Sequence, residues 1–596
     1  MTDMRIEDYA LIGDTQTAAL VGADGSIDWL CLPRFDSAAC FAALVGTPDN
    51  GYWRLGPADG SPATSRRYRG DSLVLETTFE TASGTVRVVD CMPPRARDPD
   101  VVRVVEGVSG RVPVRMELAI RFDYGRSIPW VRRVGGRLSA VAGPDAVVLE
   151  TPVATVGEGF RTVANFEVSA GDRVPFALEW HPSHEPFGAV VDALEEVRET
   201  QAWWETWAQR CTYDGEWRDA VVRSLITLKA LTYAPSGGIV AAPTTSLPEQ
   251  LGGVRNWDYR YCWLRDATFT LDALMAAGYD GEAQAWRDWL LRAVAGSPGD
   301  LQIMYGCGGE RRLPEMTLEW LSGYRGARPV RIGNAAVDQL QLDVFGEVMD
   351  SMHQARDIGI PPDPYSWDLQ RTLMDFLEST WTEPDEGIWE VRGPRRHFTH
   401  SKVMAWVAAD RAVDAVERFG LDGPADRWRA LREAIRAEVD EKGWDAERGT
   451  YTQFYGSREL DASLLMLPLV GYLRADDARM QGTLAAIERE LCRDGLVYRY
   501  EQFDSSVDGL PPGEGAFLAC TFWLADNYAL AGRPDEARTT FERLLSLRND
   551  VGLLAEQYDV VTGRQTGNFP QAFSHVPLVS TALNLSSPRA PTATRG

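Results

Sequence analysis

The chain has 596 residues, of which 61 are Lys or Arg and 86 are Asp or Glu, a formal net charge of −25. At roughly 100 to 200 residues per domain this length asks for about two to four domains. A composition of 44% hydrophobic and 25% charged residues rules out wholesale disorder, and the acidic excess argues against nucleic acid or membrane as partner, leaving a neutral or cationic one.

The N-terminus, MTDMRIEDYALIGDTQ, carries acidic residues and no continuous apolar run, unlike a secretory signal. No stretch reaches the roughly 18 apolar residues of a membrane span, so a cytoplasmic protein is expected. Up to about residue 190 the pattern is β: VRVVD, VVRVVEGV, VPVRMELAIRF, AVVLETPV and FRTVANFEV are rich in β-branched residues and several alternate. Turn signals at Asp24-Gly25, Ser109-Gly110, Gly143-Pro144-Asp145 and Ala170-Gly171-Asp172 separate them. Many short strands with regular turns predict an antiparallel β-sandwich over residues 1–190. ALEEVRETQAWWETWAQ, which follows Asp192, is a strong helix former and predicts a helical linker over 191–212.

From residue 213 the hydrophobic period becomes 3.6, with helices expected near 217–233, 264–278, 281–294, 335–357, 366–380, 400–419, 424–440, 460–471, 477–491, 515–532, 534–547 and 571–584. Long and short connections alternate between them. Helices joined in this way close into an (α/α)6 barrel over 213–586, six inner and six outer, with every long loop at one end. The last residues, 587–596, read as a disordered tail.

The long loops collect the unusual residues. NWDYRYCWLRDATF, LPEMTLEWLSGYRGARPVRIGN, DEGIWEVRGPRRH, YRYEQFDSSVDGLPPGEG and LLAEQYDVVTGRQTGNFPQ each combine Trp or Tyr with Asp, Glu or Arg, and TYTQFYGS, with two Tyr, is followed directly by Arg458 and Glu459. Aromatic faces with carboxylates and arginines suit a sugar, whose rings stack while its hydroxyls take paired hydrogen bonds. The competing explanation is that the aromatics pack the loops onto the barrel rim. The eight cysteines form no CxxC pair and the six histidines no HExxH, so neither a metal nor a cofactor is expected.

NWDYRYCWLRDATFTLDAL, GIWEVRG followed by HFTHSKVMAWVA, and AEQYD followed by GNFPQAFSH resemble the bacterial branch of glycoside hydrolase family 15, the glucoamylase, glucodextranase and trehalase family. RIEDYALIGDTQTAALVGADGSIDWLCLPRFDS resembles the start of its sandwich domain. The resemblance implies inverting hydrolysis of an α-glucosidic bond, with Glu390 matching the general acid and Glu556 the general base. Inversion asks for such a pair, one carboxyl protonating the leaving oxygen and the other activating water on the opposite ring face. Arg265 and Asp266 match the pair that holds the terminal glucose. Ile388 and Trp389 match the apolar wall before the acid, Arg499 an arginine near the same sugar, Tyr259 the tyrosine that helps place the water, and Trp263 a binding position in the same motif. Fungal glucoamylases carry a second glutamate after the acid, where this chain has Val391. Glu319, Trp320 and Tyr324 are candidates for acceptor subsites.

Without a recognised secretion signal the expected substrate is a small internal α-glucoside. Isomaltose-type α-1,6 oligosaccharides lead, trehalose is second, and maltodextrin or phosphorolysis of a disaccharide follow. A non-catalytic helical scaffold is suggested by ADNYALAGRPDEARTTFERLL, which resembles one tetratricopeptide unit, but no period of about 34 residues recurs.

Overall fold

The computed structural model describes residues 4–586 apart from 96, 358, 360, 362 and 502–506; the tail read at 587–596 lies outside the described residues. Strands occupy the chain from Tyr9 to Pro182, and their pairings are antiparallel. The sandwich turns on one 20-residue strand, Asp100–Ala119. Its first part pairs with Arg173–Pro182 in one layer and its last part with Arg161–Ser169 in the other. In the last part buried Val112, Val114, Met116 and Leu118 alternate with more exposed residues, as expected of a strand with one face in the core. In the first part Val101 and Val105 face the main core, while Val102 and Val104 meet Ala193 and Val197 of the next helix.

That helix, Ala193–Ala208, is capped by the Asp192 carboxylate, which accepts from the amides of Leu194 and Glu195. It packs on the outer face of the sandwich and leads into the barrel. The inner ring consists of Leu264–Ala276, Asp343–Asp357, Thr399–Glu417, a 3-10 turn Ala462–Leu465 continued by Met466–Leu469, Leu518–Leu530 and Ala572–Ser586. Each touches the next, and the last touches the first. Arg218–Ala230, Asp280–Ala293, Pro364–Thr380, Ala425–Lys442, Ala478–Glu490 and Pro534–Leu545 form the outer ring.

Sequence decides which ring a helix joins. Ala425–Lys442 buries only Trp428, Leu431, Ile435 and Val439, a single stripe at helical spacing. Thr399–Glu417 is buried without a break from Thr399 to Ala409, so it must be surrounded. Inner helices also approach closely: a Cβ on Gly346 would lie 2.3 Å from the Met404 carbonyl oxygen, a distance that only glycine permits. Two expected helices differ. The segment expected at 460–471 is short and partly 3-10, because Pro468 has no N–H to give the Leu464 carbonyl and the α ladder cannot run through. The segment expected to begin at 335 starts as a separate 3-10 turn, Ala335–Asp338, with the helix following from Asp343. Among the described residues no helix is long and apolar enough to cross a membrane.

Candidate active site

The long loops all enter at the N-terminal ends of the inner helices, and there all but the fourth line one cleft. Trp263, Arg265 and Asp266 come from the start of Leu264–Ala276, Phe517 from the residue before Leu518, and Gln571 and Phe573 from the start of Ala572–Ser586. Glu390, Glu556, Tyr259, Trp263, Arg265, Asp266, Ile388, Trp389 and Arg499 all line this one cleft.

Glu390 sits in a loop whose ends are closed by the antiparallel bridge between Asp385 and Arg396. Its φ of 57° is a left-handed conformation unusual for glutamate, of the kind held only where surroundings over-determine it. The Gln339 side chain supplies part of that hold, donating to the carbonyls of Glu390 (3.2 Å) and Val391 (3.1 Å). At the carboxyl, Trp263 Nε1 donates to Oε1 at 2.6 Å and Arg265 Nη2 lies 3.5 Å from the same oxygen. Burial raises the Glu390 pKa, against the attraction of Arg265 and with the repulsion of Asp266. Arg265 is itself fixed, donating from Nη1 to the Ile388 carbonyl at 2.7 Å and pairing with Asp266 at 2.9 Å.

Glu556 lies at the edge of a small three-stranded sheet in which Ala516–Phe517 pairs with Gln557–Asp559 and that with Arg564–Thr566. This sheet ties the fifth long loop to the sixth. Tyr259 donates its hydroxyl to Glu556 Oε1 at 2.7 Å. Oε2 is buried and has no hydrogen-bond partner among the described residues. Beside it is Gly567, at φ 81°, where a Cβ would stand 2.5 Å from that oxygen. Burial, then the neighbouring Glu249, push the Glu556 pKa well up, while the Tyr259 hydrogen bond and Arg499 oppose the rise.

Tyr259 and Trp263 therefore serve one carboxyl each. Their rings meet edge to face with centroids 5.4 Å apart, so one short segment holds both acids. Between them the chain turns the other way: Arg260 pairs with Asp258 at 2.7 Å, donates to the Ser37 carbonyl at 2.9 Å and lies over the Trp29 and Tyr124 rings of the sandwich domain. The segment is clamped from behind by the N-terminal domain.

A lattice of buried charges that sequence reasoning missed stands behind Glu556. Glu249 accepts from Trp257 Nε1 and from Arg499 Nη2, each at 2.9 Å. Arg499 also binds Glu514, and Arg255 pairs with Asp508, which takes a further hydrogen bond from the Tyr500 hydroxyl at 2.9 Å. These residues come from the first and fifth loops, some 250 positions apart, and no local spacing announces them. Trp389 is anchored through Nε1 to the Asp461 carboxylate (2.9 Å), its ring 5.3 Å from Phe517 and under the Arg499 guanidinium. With Glu249, Asp266, Glu390, Asp508 and Glu556 facing Arg255, Arg265, Arg392 and Arg499, the lining offers both signs to a neutral polyhydroxyl ligand.

Three sequence candidates lie elsewhere. Trp320 donates to the Tyr124 carbonyl at 3.0 Å under the Arg126 guanidinium, and the Tyr324 hydroxyl donates to the Met4 carbonyl at 2.9 Å. Both pack the second long loop onto the N-terminal domain, and Glu319 is exposed outside the cleft. The aromatics of the fourth loop pack within the barrel instead: Tyr451 donates to Asp440 and Tyr455 stacks on His397. Among the described residues no group of three or more His, Cys, Asp or Glu could hold a metal ion.

The model of glycosyl hydrolases family 15 matches residues 215–583, and that of the trehalase-like N-terminal domain matches 2–201. A protein named Trehalase from Mycolicibacterium smegmatis is 40% identical, covering 97% of this chain and 91% of its own. Isomaltose glucohydrolase from Kribbella flavida is 26% identical over 50% of this chain and 71% of its own. Among solved structures, a bacterial glucoamylase complexed with acarbose aligns with a TM-score of 0.73 over 98% of this chain and 94% of that one, at 14% identity, a likeness of fold.

Proposed function

The chain belongs to glycosyl hydrolase family 15, and on that premise we propose that this glycoside hydrolase cleaves α,α-trehalose with inversion, Glu390 acting as acid and Glu556 as base. The carrying observation is the pairing of two carboxyls in one cleft, Glu556 buried and Glu390 partly so, each taking a hydrogen bond from the same segment, Tyr259 to Glu556 and Trp263 to Glu390. Trehalose is better supported than the α-1,6 linkage that the sequence reading put first. The relative named Trehalase aligns along nearly the whole chain, whereas Isomaltose glucohydrolase covers half of it.

Burial raises the pKa of both carboxyls, Glu556 the more strongly, so the Tyr259 hydrogen bond and the Arg499 charge are what favour the ionised base. For Glu390 the rise is in the direction an acid needs to protonate the glycosidic oxygen, and the nearby Arg265 steadies the carboxylate that remains. On the other side Tyr259 occupies Oε1 of Glu556 and leaves Oε2 to take a proton from water. Water attacks the anomeric carbon from that face, the bond to the leaving oxygen breaks, and that oxygen takes the Glu390 proton. Arg265 and Asp266, deep in the cleft, hold hydroxyls of the reacting glucose, and Ile388 with Trp389 walls it. Hydrolysis rates on trehalose, isomaltose, isomaltotriose and maltose test the reading. The expected result is fastest cleavage of trehalose, to glucose alone, in phosphate buffer. Sugar phosphate as product would replace hydrolysis by phosphorolysis, and preference for isomaltose would restore the α-1,6 reading.

A further inference from the structure

The side chains of the cleft grade outward from its floor: Asp266 is 4% exposed, Arg265 11%, Glu390 17% and Arg392 25%. Glu390 marks the leaving oxygen on the reading above, so a cleft residue nearer the mouth stands beside the leaving group. Val391, where fungal relatives have glutamate, is buried against its own loop. Arg392 is the next residue that can donate a hydrogen bond.

Its surroundings fix it without using it up. The backbone N–H donates to the Asp508 carbonyl at 2.9 Å, seaming the third loop to the fifth. The guanidinium lies 4.8 Å from the centre of the Trp257 ring, against which Arg331 also rests at 4.6 Å. Only Nη2 is engaged, with Asn334 Oδ1 at 3.2 Å and Glu315 Oε2 at 3.4 Å, long contacts for a charged donor. Nε and Nη1 have no partner among the described residues. A planar cation held on an aromatic ring, with donors to spare, matches the vicinal hydroxyls on a pyranose edge.

We propose that Arg392, with Trp257, recognises the leaving glucose and determines specificity for a disaccharide over a simple glucoside. The inference rests on the catalytic roles assigned to Glu390 and Glu556. It assigns to Arg392 the acceptor recognition that the sequence left open at Val391.

The test compares trehalose with methyl α-glucoside in wild type, Arg392→Ala and Arg392→Lys. Both substrates need their leaving oxygen protonated, but only trehalose has a second ring. The loss in kcat/KM of Arg392→Ala on trehalose is expected to exceed its loss on methyl α-glucoside by about tenfold or more, as for a lost charged hydrogen bond. The excess appears mainly in KM, Arg392→Lys falls between, and the basic limb of the pH profile moves up only in Arg392→Ala, because the Arg392 charge favours the Glu390 carboxylate. Equal losses on both substrates would overturn the proposal, whatever the basic limb does, and would make Arg392 a positioning residue for Glu390. Wild-type enzyme that cleaves another disaccharide but not trehalose defeats the substrate reading alone, and the same ratio on that disaccharide then still decides Arg392.

Discussion

Removing the Tyr259 hydroxyl probes the base without touching its carboxyl. The hydrogen bond to Glu556 Oε1 is 2.7 Å long and the glutamate is 2% exposed, so Tyr259→Phe deletes a buried bond to an ionised group, worth about 1.5 to 3 kcal/mol. That bond favours the carboxylate, and its loss shifts the Glu556 ionisation equilibrium toward the acid by about 10- to 150-fold. A base must be ionised to work, so the rate is lost as pH falls through its pKa. The acid limb of kcat/KM therefore moves to higher pH, and at the acid end the variant is slower than wild type by up to that same factor, while the plateau changes less. Trp263→Phe makes the matching change at Glu390, where the 2.6 Å bond from Nε1 also favours the carboxylate. Its loss helps the acid keep its proton, so the basic limb moves up and the bell widens, whereas Tyr259→Phe narrows it. Steady-state kinetics across pH, with thermal unfolding alongside to register the packing lost with the indole, measure both. The limbs are properties of the coupled pair. Limbs unmoved by Tyr259→Phe would refute the reasoning, because a hydroxyl bonded to the base cannot leave its ionisation untouched.

Three other outcomes are expected. Glu390→Gln and Glu556→Gln each lower kcat by about 10²-fold or more at nearly unchanged thermal stability, and a variant retaining a tenth of wild-type activity removes its residue from the mechanism. Proton NMR of the first turnovers on trehalose shows α- and β-glucose in equal amounts, the β anomer from the attacked ring and the α from the leaving one, whereas α-glucose alone would mean a covalent glucosyl-enzyme. Gly567→Ala sets a methyl against Glu556 Oε2 and strains a backbone at φ 81°; it costs about 1 to 3 kcal/mol of stability and at least a tenfold loss in kcat, and full activity would show that the carboxyl tolerates displacement.

What the sequence discloses follows from how local each feature is. The alternation of long and short connections exposed the double ring, since helices such as Thr399–Glu417 and Ala425–Lys442 differ visibly in how much of their surface is apolar. The motif NWDYRYCWLRD places Tyr259, Trp263, Arg265 and Asp266 within eight positions, so a continuous stretch carried them into the cleft together. Glu249, Arg255, Asp508 and Glu514 stayed hidden because buried ion pairs are matched in space and carry no period. Trp320 and Tyr324 misled for a related reason: an aromatic in a long loop has the same sequence signature whether it faces a ligand or another domain. Pro468 was the one local signal against a full helix at 460–471.

The Arg260 clamp couples the sandwich domain to the candidate site in a thermodynamic sense. Tyr259 and Arg260 are adjacent, so the residue that donates to Glu556 shares its backbone with one whose charge is neutralised at the domain boundary. Stripping a buried arginine from its carboxylate costs about 3 to 5 kcal/mol, and Asp258 would be left with that deficit if Arg260 were replaced. Loosening the contacts around Trp29, Ser37 and Tyr124 would therefore bear on the segment that carries Tyr259, and through it on Glu556.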